Sequence, residues 1–305
     1  MATFPFCMRA SYLGKGYILG QQYTNGEKYQ YLQFESKTIG VTSASATNAG
    51  SFGRTGFSSL IKGYVAGGQA GSYTIFTTIN GLLFLNETAS NIVAVLSKAR
   101  RDTAPVSSGI KGYCMGGYNN AEGAYQSVID GIAFSNEAAF NAGNLLTTAR
   151  MGPQSGGANA TRGYMFGGDT GSVSALVDGI LFSNDSHVSS AHALGTATNR
   201  VGVAANLTNA YTFGGFTSAN VNTIQRFPWA TETFAGAGSS LAAAVNSVTA
   251  VKTGISAFLE NIGTGTVTAI YEFIYATETN AAIAATLTYG PYAGTSAASF
   301  QSGTL

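Results

Sequence analysis

Charge is scarce in this 305-residue chain: Asp, Glu, Lys and Arg together make up 10% of it, against about 25% in an average soluble protein. Fifteen basic and fourteen acidic residues leave a formal net charge of +1. That balance excludes the basic field that nucleic acid or an anionic membrane surface requires, and Arg100-Arg101 is the only adjacent basic pair. Cysteine is almost missing too. Cys7 and Cys114 cannot form a disulfide framework and read as ordinary thiols. No apolar run approaches the roughly eighteen residues of a membrane helix, and Met1 to Cys7 shows no basic and then apolar leader, so no secretory signal is expected. Histidine occurs twice and tryptophan once. In their place stand forty glycines with abundant Ala, Ser, Thr and Asn. Such a polar, uncharged surface suits a protein built into an assembly or exposed outside cells.

What the chain has in abundance is repetition. Lys62-Gly63-Tyr64-Val65-Ala66-Gly67-Gly68, Lys111-Gly112-Tyr113-Cys114-Met115-Gly116-Gly117 and Arg162-Gly163-Tyr164-Met165-Phe166-Gly167-Gly168 are near copies. Lys15 to Gly20 and Ala210 to Gly215 are shorter ones, and Ile255 to Leu259 is a worn sixth, for which Ser256 serves as the marker aligned with the tyrosines. Six units spaced at 45 to 51 residues are the signature of a β-propeller. The expected fold is all-β: one six-bladed β-propeller of four-stranded antiparallel blades over 1–305. Its approximate blades are 1–52, 53–99, 100–149, 150–199, 200–245 and 246–288, with 289–305 a closing strand or docking tail. Two segments, Met8 to Leu13 and Thr295 to Phe300, look like the same innermost strand. The C-terminal one is expected to join the first blade, with the N-terminal one displaced or paired beside it.

Within each unit the Gly-Tyr-apolar-Gly-Gly segment reads as the second strand, half-buried by its tyrosine and ended by glycines that permit a sharp turn and close backbone approach. The third strand alternates, as in Asn80 to Glu87, Ile129 to Glu137 and Val177 to Asp185, and its Ser/Asn/Glu ending is expected to hydrogen-bond a turn. The outer strand is weaker: Ile92 to Leu96, Ala142 to Leu146, Ala191 to Leu194, Ala281 to Leu287 and, in register, Ser240 to Val245. Small-residue segments such as Pro105 to Ile110 belong innermost, where blades converge on the axis.

A catalytic constellation does not emerge. His187 and His192, the only histidines, do not share a strand face and have no carboxylate set beside them, so no metal or cofactor is expected. Gly167 to Ser172 lacks the lysine and helix of a phosphate loop. Most acids sit at repeated positions, Asp130 and Asp178 among them, which marks them as scaffold. Glu122 and Asp102 are the loop acids that a polysaccharide-active enzyme, the alternative from another class, would use.

The Arg, small strand, Gly-Tyr-x-x-Gly-Gly and Ile-Asp-x-Ile-x-Phe-Ser-Asn-Glu succession resembles the kelch repeat, and specifically the diverged kelch-like repeats of virion proteins in tailed bacteriophages. The resemblance spans the chain and is strongest in repeats two to four. The tryptophan that intracellular kelch domains carry in the outer strand is missing, and the lone Trp229 falls in the third strand. The resemblance implies a non-enzymatic structural or attachment component of a virion, assembled in the host cytoplasm and extracellular after lysis. Its partners would be other virion proteins and a host-surface glycan or protein, in a homo-oligomer or multi-copy assembly with no nucleic acid and no membrane insertion. A capsid or tail decoration protein that docks only to the particle is the alternative. The candidate ligand-binding face comprises Tyr23, Tyr73, Tyr118, Tyr125 and Phe216 on the loops between second and third strands, with Arg54, Arg101, Arg150 and Arg200 on the turns between blades. In an up-and-down meander these two sets emerge on one side, where aromatic plates, amides and arginines suit glycan or protein recognition.

Overall fold

The computed structural model describes residues 14–19, 28–45, 51–71, 73–152, 155–190, 192–260, 269–287 and 298–300. They form no helix, and six four-stranded antiparallel sheets make the six blades of a β-propeller. Blade 2 runs Thr55–Ser58, Lys62–Ala66, Thr78–Leu83 and Thr88–Val95 from axis to rim, and blade 3 runs Ala104–Ser107, Lys111–Met115, Val128–Ala133 and Ala138–Leu145. Blade 1 is built from both ends of the chain. Ala298–Phe300 pairs antiparallel with Lys15–Leu19 and supplies the innermost strand. The C-terminal segment therefore closes the ring, as its resemblance to an inner strand suggested. Residues 8–13 lie outside the described residues.

The inner strands touch in sequence around the axis, with Ala298–Phe300 seated between Thr249–Lys252 of blade 6 and Thr55–Ser58 of blade 2. Neighbouring blades approach closely. A Cβ on Gly112, in the second strand of blade 3, would lie 2.2 Å from the Phe57 ring of blade 2. Second strands are therefore buried on both faces, as in Lys62–Ala66 and Lys111–Met115, and hydrophobic clusters fill the interfaces between blades. Outer strands bury one face only: Thr279–Thr286 alternates exposed and part-buried residues along its length.

Four assignments differ from what the sequence suggests. The Phe-Ser-Asn-Glu ending is a turn, not the end of a strand: strand three stops at Leu83, Ala133 and Leu181, and the outer strand begins at Thr88, Ala138 and His187. The last residue of each such turn, Lys37, Glu87, Glu137, Asp185, Glu232 or Glu278, has φ between 52° and 59°, a left-handed conformation that ends a strand outright. Ser240 to Val245 is no strand; blade 5 takes Ala235–Gly236 as its short fourth strand. Residues 192–194 of the expected Ala191 to Leu194 strand form none either, and blade 4 takes His187–Ser189 as its outer strand. Phe258, not Ser256, aligns with the repeated tyrosines, since Ser256–Glu260 pairs with Thr249–Lys252 and Ala269–Ile274 in the register of the other blades.

These turns carry the repeated clasp between blades. The turn's first residue is aromatic and stacks on the second-strand ring of the preceding blade, with Phe84 on Tyr17 (centroids 5.1 Å apart), Phe134 on Tyr64 (5.3 Å), Phe182 on Tyr113 (5.7 Å), Trp229 on Tyr164 (5.5 Å) and Tyr275 on Tyr211 (5.5 Å). Phe34 on Phe258 (5.5 Å) closes the series across the seam. The turn's last residue, an acid in blades 2 to 6, reaches the same strand. Glu137 accepts from Lys62 Nζ (2.6 Å) and Tyr64 Oη (3.1 Å), and Asp185 from Lys111 Nζ (2.6 Å) and Tyr113 Oη (2.5 Å). Burial of the hydroxyl, with the carboxylate beside it, pushes the tyrosines far up; Tyr164 and Tyr211 reach about 12.

Candidate functional site

All clasps lie on the side where first and second strands are joined. The opposite side carries the loops between second and third strands and the turns between blades. Its shape begins with the glycine doublets. Gly116 and Gly117 have φ of 66° and 115°, and a Cβ on Gly116 would lie 2.5 Å from the Arg150 carbonyl. Gly117 N–H donates to that same carbonyl at 2.9 Å, so the loop is pinned to the linker that leaves the blade. The residue after each doublet pairs with the linker that enters the blade: Gln69 with Phe52, Tyr118 with Arg101, Asp169 with Met151 and Phe216 with Asn199.

On blade 3 this geometry builds a rigid platform. Tyr118–Asn119 and Ala124–Tyr125 form a miniature hairpin in which Tyr118 faces Tyr125, ring centroids 5.1 Å apart and 66° between planes. Asn119 Oδ1 accepts from the backbone of Ala121 and Glu122 and fixes the tip. The Arg101 guanidinium lies 5.2 Å from the Tyr118 centroid, donates to Asn120 Oδ1 at 3.1 Å and pairs with Asp102. Tyr125 Oη donates to Asp169 Oδ1 of blade 4 at 3.1 Å, and Asn199 Nδ2 donates to Asp169 Oδ2 at 3.1 Å. Partial burial and the Asp169 carboxylate both push the Tyr125 hydroxyl up, keeping it a neutral donor. Blades 3, 4 and 5 are thereby tied into one surface of aromatic and amide groups.

The nine residues expected on this face divide by burial. Tyr73 is 78% exposed on blade 2, Arg200 is exposed, and Tyr118, Tyr125, Arg101 and Phe216 are part-buried. Arg54 and Arg150 are fully buried and offer nothing to a ligand. Arg54 donates to Asn80; Arg150 pairs with Asp178 and donates to the Gly167 carbonyl at 2.8 Å. Arg100, the neighbour of Arg101 and not among the nine, plays the same part and pairs with Asp130 at 2.8 Å. An Arg-Arg dipeptide in an extended linker sends one side chain inward and the other out, and nothing in the local sequence marks which. Tyr23 lies outside the described residues.

The scaffold reading of the repeated acids is matched by their partners. Asp130 also accepts from Ser97, and Asp178 from Thr147, with His187 Nε2 2.6 Å away. Burial alone would push the Asp178 carboxyl up; Arg150, Thr147 and His187 outweigh it and hold the group below the usual carboxylate range. Of the two loop acids, Asp102 pairs with Arg101, whereas exposed Glu122 meets Lys98 at 3.2 Å and Gln126 at 3.1 Å. Among the described residues no group of three or more His, Cys, Asp or Glu side chains is placed to hold a metal ion. Cys114 is buried, and burial lifts its thiol to about 12, which leaves it no nucleophile at neutral pH.

No known protein family matches the chain, and comparison with characterised proteins finds no relative.

Proposed function

We propose that this propeller is a non-enzymatic attachment component of a virion, of the kelch-like kind found in tailed-phage particles, and that its loop face recognises a cell-surface glycan or protein. The observation that carries this reading is the Tyr118/Tyr125 platform, held by Arg101, Asn119 and Asp169. Arg101 is held by Asp102 and Tyr125 by Asp169, which fixes the platform as a surface for contact. Rigid aromatic plates flanked by amides bind at low entropic cost.

A second reading, decoration of the particle through protein contacts alone, is favoured by the rim. The outer strands Thr38–Ser45, Thr88–Val95, Ala138–Leu145 and Thr279–Thr286 contain no charged residue and no proline. Only a register shift interrupts each edge, and uncharged edges favour strand pairing with a neighbour.

Binding of the purified protein to host cells, before and after their surface polysaccharide is stripped, tests the first reading. Saturable binding that is lost on stripping, and weakened in Tyr118→Ala and Tyr73→Ala variants, is expected. Absence of binding to intact cells would favour decoration, and released oligosaccharide in the supernatant would overturn the non-enzymatic assignment.

A further inference from the structure

In a repeat protein, whatever recurs is scaffold, so a departure from the pattern is where specific function is to be sought. The clasp between blades 4 and 5 departs in four ways at once. Its cation is Arg162, where the three preceding clasps use Lys15, Lys62 and Lys111. Its aromatic is Trp229, the chain's single tryptophan, where those three use phenylalanine. The outer strands of both blades it joins are short, three residues in blade 4 and two in blade 5, against eight in blades 1, 2, 3 and 6. Beside this clasp, finally, lies an open cleft of about 490 Å³ that Arg162, Trp229 and Glu232 line together with Asn159, Thr231 and His192.

We propose that this cleft binds a neutral saccharide unit, an inference that rests on the glycan-attachment reading and places a sugar subsite on the side opposite the Tyr118 platform. The clasp leaves hydrogen-bonding capacity unspent. Arg162 Nη1 meets Glu232 Oε1 at 2.7 Å, which leaves Nε and Nη2 as donors and Glu232 Oε2 as an acceptor at the cleft. Asn159 is locked in a turn, its Oδ1 accepting from Thr161 N (2.9 Å) and Arg162 N (2.8 Å), so its Nδ2 is left as a further donor. Trp229 is fixed by Nε1–H donating to the Asn206 carbonyl at 3.0 Å and by its stack on Tyr164, and it remains part-exposed. Oriented donors and an acceptor around the part-exposed edge of the indole match the hydroxyl rim of a pyranose. The Arg162–Glu232 charges cancel, which favours a neutral ligand over an acidic one.

Because Trp229 is the only tryptophan, its fluorescence reports on this cleft alone. Titration with methyl glycosides of glucose, galactose and N-acetylglucosamine is expected to give a saturable change in emission for at least one. Asn159→Asp keeps the turn's acceptor and replaces the Nδ2 donor with a carboxylate oxygen that accepts only, so it is expected to weaken binding about tenfold, or roughly 1.4 kcal/mol. Emission unmoved by all three glycosides, a response to acidic sugars only, or undiminished binding by Asn159→Asp would overturn the proposal. Cell binding with a silent Trp229 would sink the subsite and leave the attachment reading standing. Failure to bind cells would count against attachment, while the titration would still decide the cleft.

Discussion

Lys37 and Glu272 meet at 2.6 Å across the seam where blade 6 joins blade 1, with the polarity of every other clasp reversed. Elsewhere the turn supplies the acid and the preceding blade the cation: Glu87 to Lys15, Glu137 to Lys62, Asp185 to Lys111, Glu232 to Arg162 and Glu278 to Arg226. At the seam the turn supplies the lysine, and the acid sits in the third strand of blade 6, where Ser256 Oγ also donates to it at 3.0 Å. Closure that skips blade 6 would set Lys37 against Arg226, and closure that skips blade 1 would set Glu87 against Glu272. Both are like-charge pairs, so the charges favour a ring of six over rings that omit an end blade.

Reversal of either seam charge, Lys37→Glu or Glu272→Lys, is therefore expected to lower the urea midpoint, and the double exchange to recover most of the loss. A half-exposed pair contributes at most about 1 kcal/mol, so the recovery is the informative quantity. Equal loss in single and double variants would show that the pair does not act at the seam.

Asp178→Asn is expected to destabilise by roughly 3–5 kcal/mol because it leaves the Arg150 charge buried without its counterion. The Asp178 carboxyl is held below its ordinary range in the folded state, so its contribution is complete above the unfolded value. It is lost as pH falls through the folded value. Acid unfolding followed by circular dichroism should show a shallower pH dependence in Asp178→Asn than in the wild type.

Glu260 is 1% exposed at a register position that Ala66, Met115, Phe166 and Phe213 fill in other blades, and neither carboxyl oxygen has a partner among the described residues. Burial pushes its pKa well up. The folded state thus keeps a proton that the unfolded chain releases above the ordinary carboxylate value, and stability falls as pH rises through that window. Glu260→Met is expected to stabilise the protein at neutral pH by about 1–3 kcal/mol and to flatten this slope. Calorimetry across the neutral range measures both.

Gly167 and Gly171 separate crowding from backbone conformation. Both have positive φ, 67° and 99°, but a Cβ on Gly167 would lie 2.2 Å from the Thr198 carbonyl, while one on Gly171 meets nothing within 4 Å. Gly171→Ala should cost only the backbone term of about 1 kcal/mol, and Gly167→Ala at least twice that. Equal midpoints in the two variants would refute the close approach of loop and linker.

Blade number, antiparallel meander and closure by the C-terminal strand were legible in the residues, because each blade repeats the same local demands: a tyrosine to stack, a glycine where a ring presses, a doublet that turns. The clasp was not legible. Glu137 and Lys62 are 75 positions apart, and the acid's sequence neighbours mark only a turn, because its role depends on which strand the preceding blade lays beside it. Arg100 and Arg101 are chemically alike, and only the packing of their linker against blade 3 sends the first to Asp130 and the second over Tyr118. Repetition along one chain determines which elements form and how many. Whether a given charged side chain is scaffold or surface is decided between chain segments that the sequence keeps far apart, where burial makes a charge costly unless a partner stands within hydrogen-bonding reach.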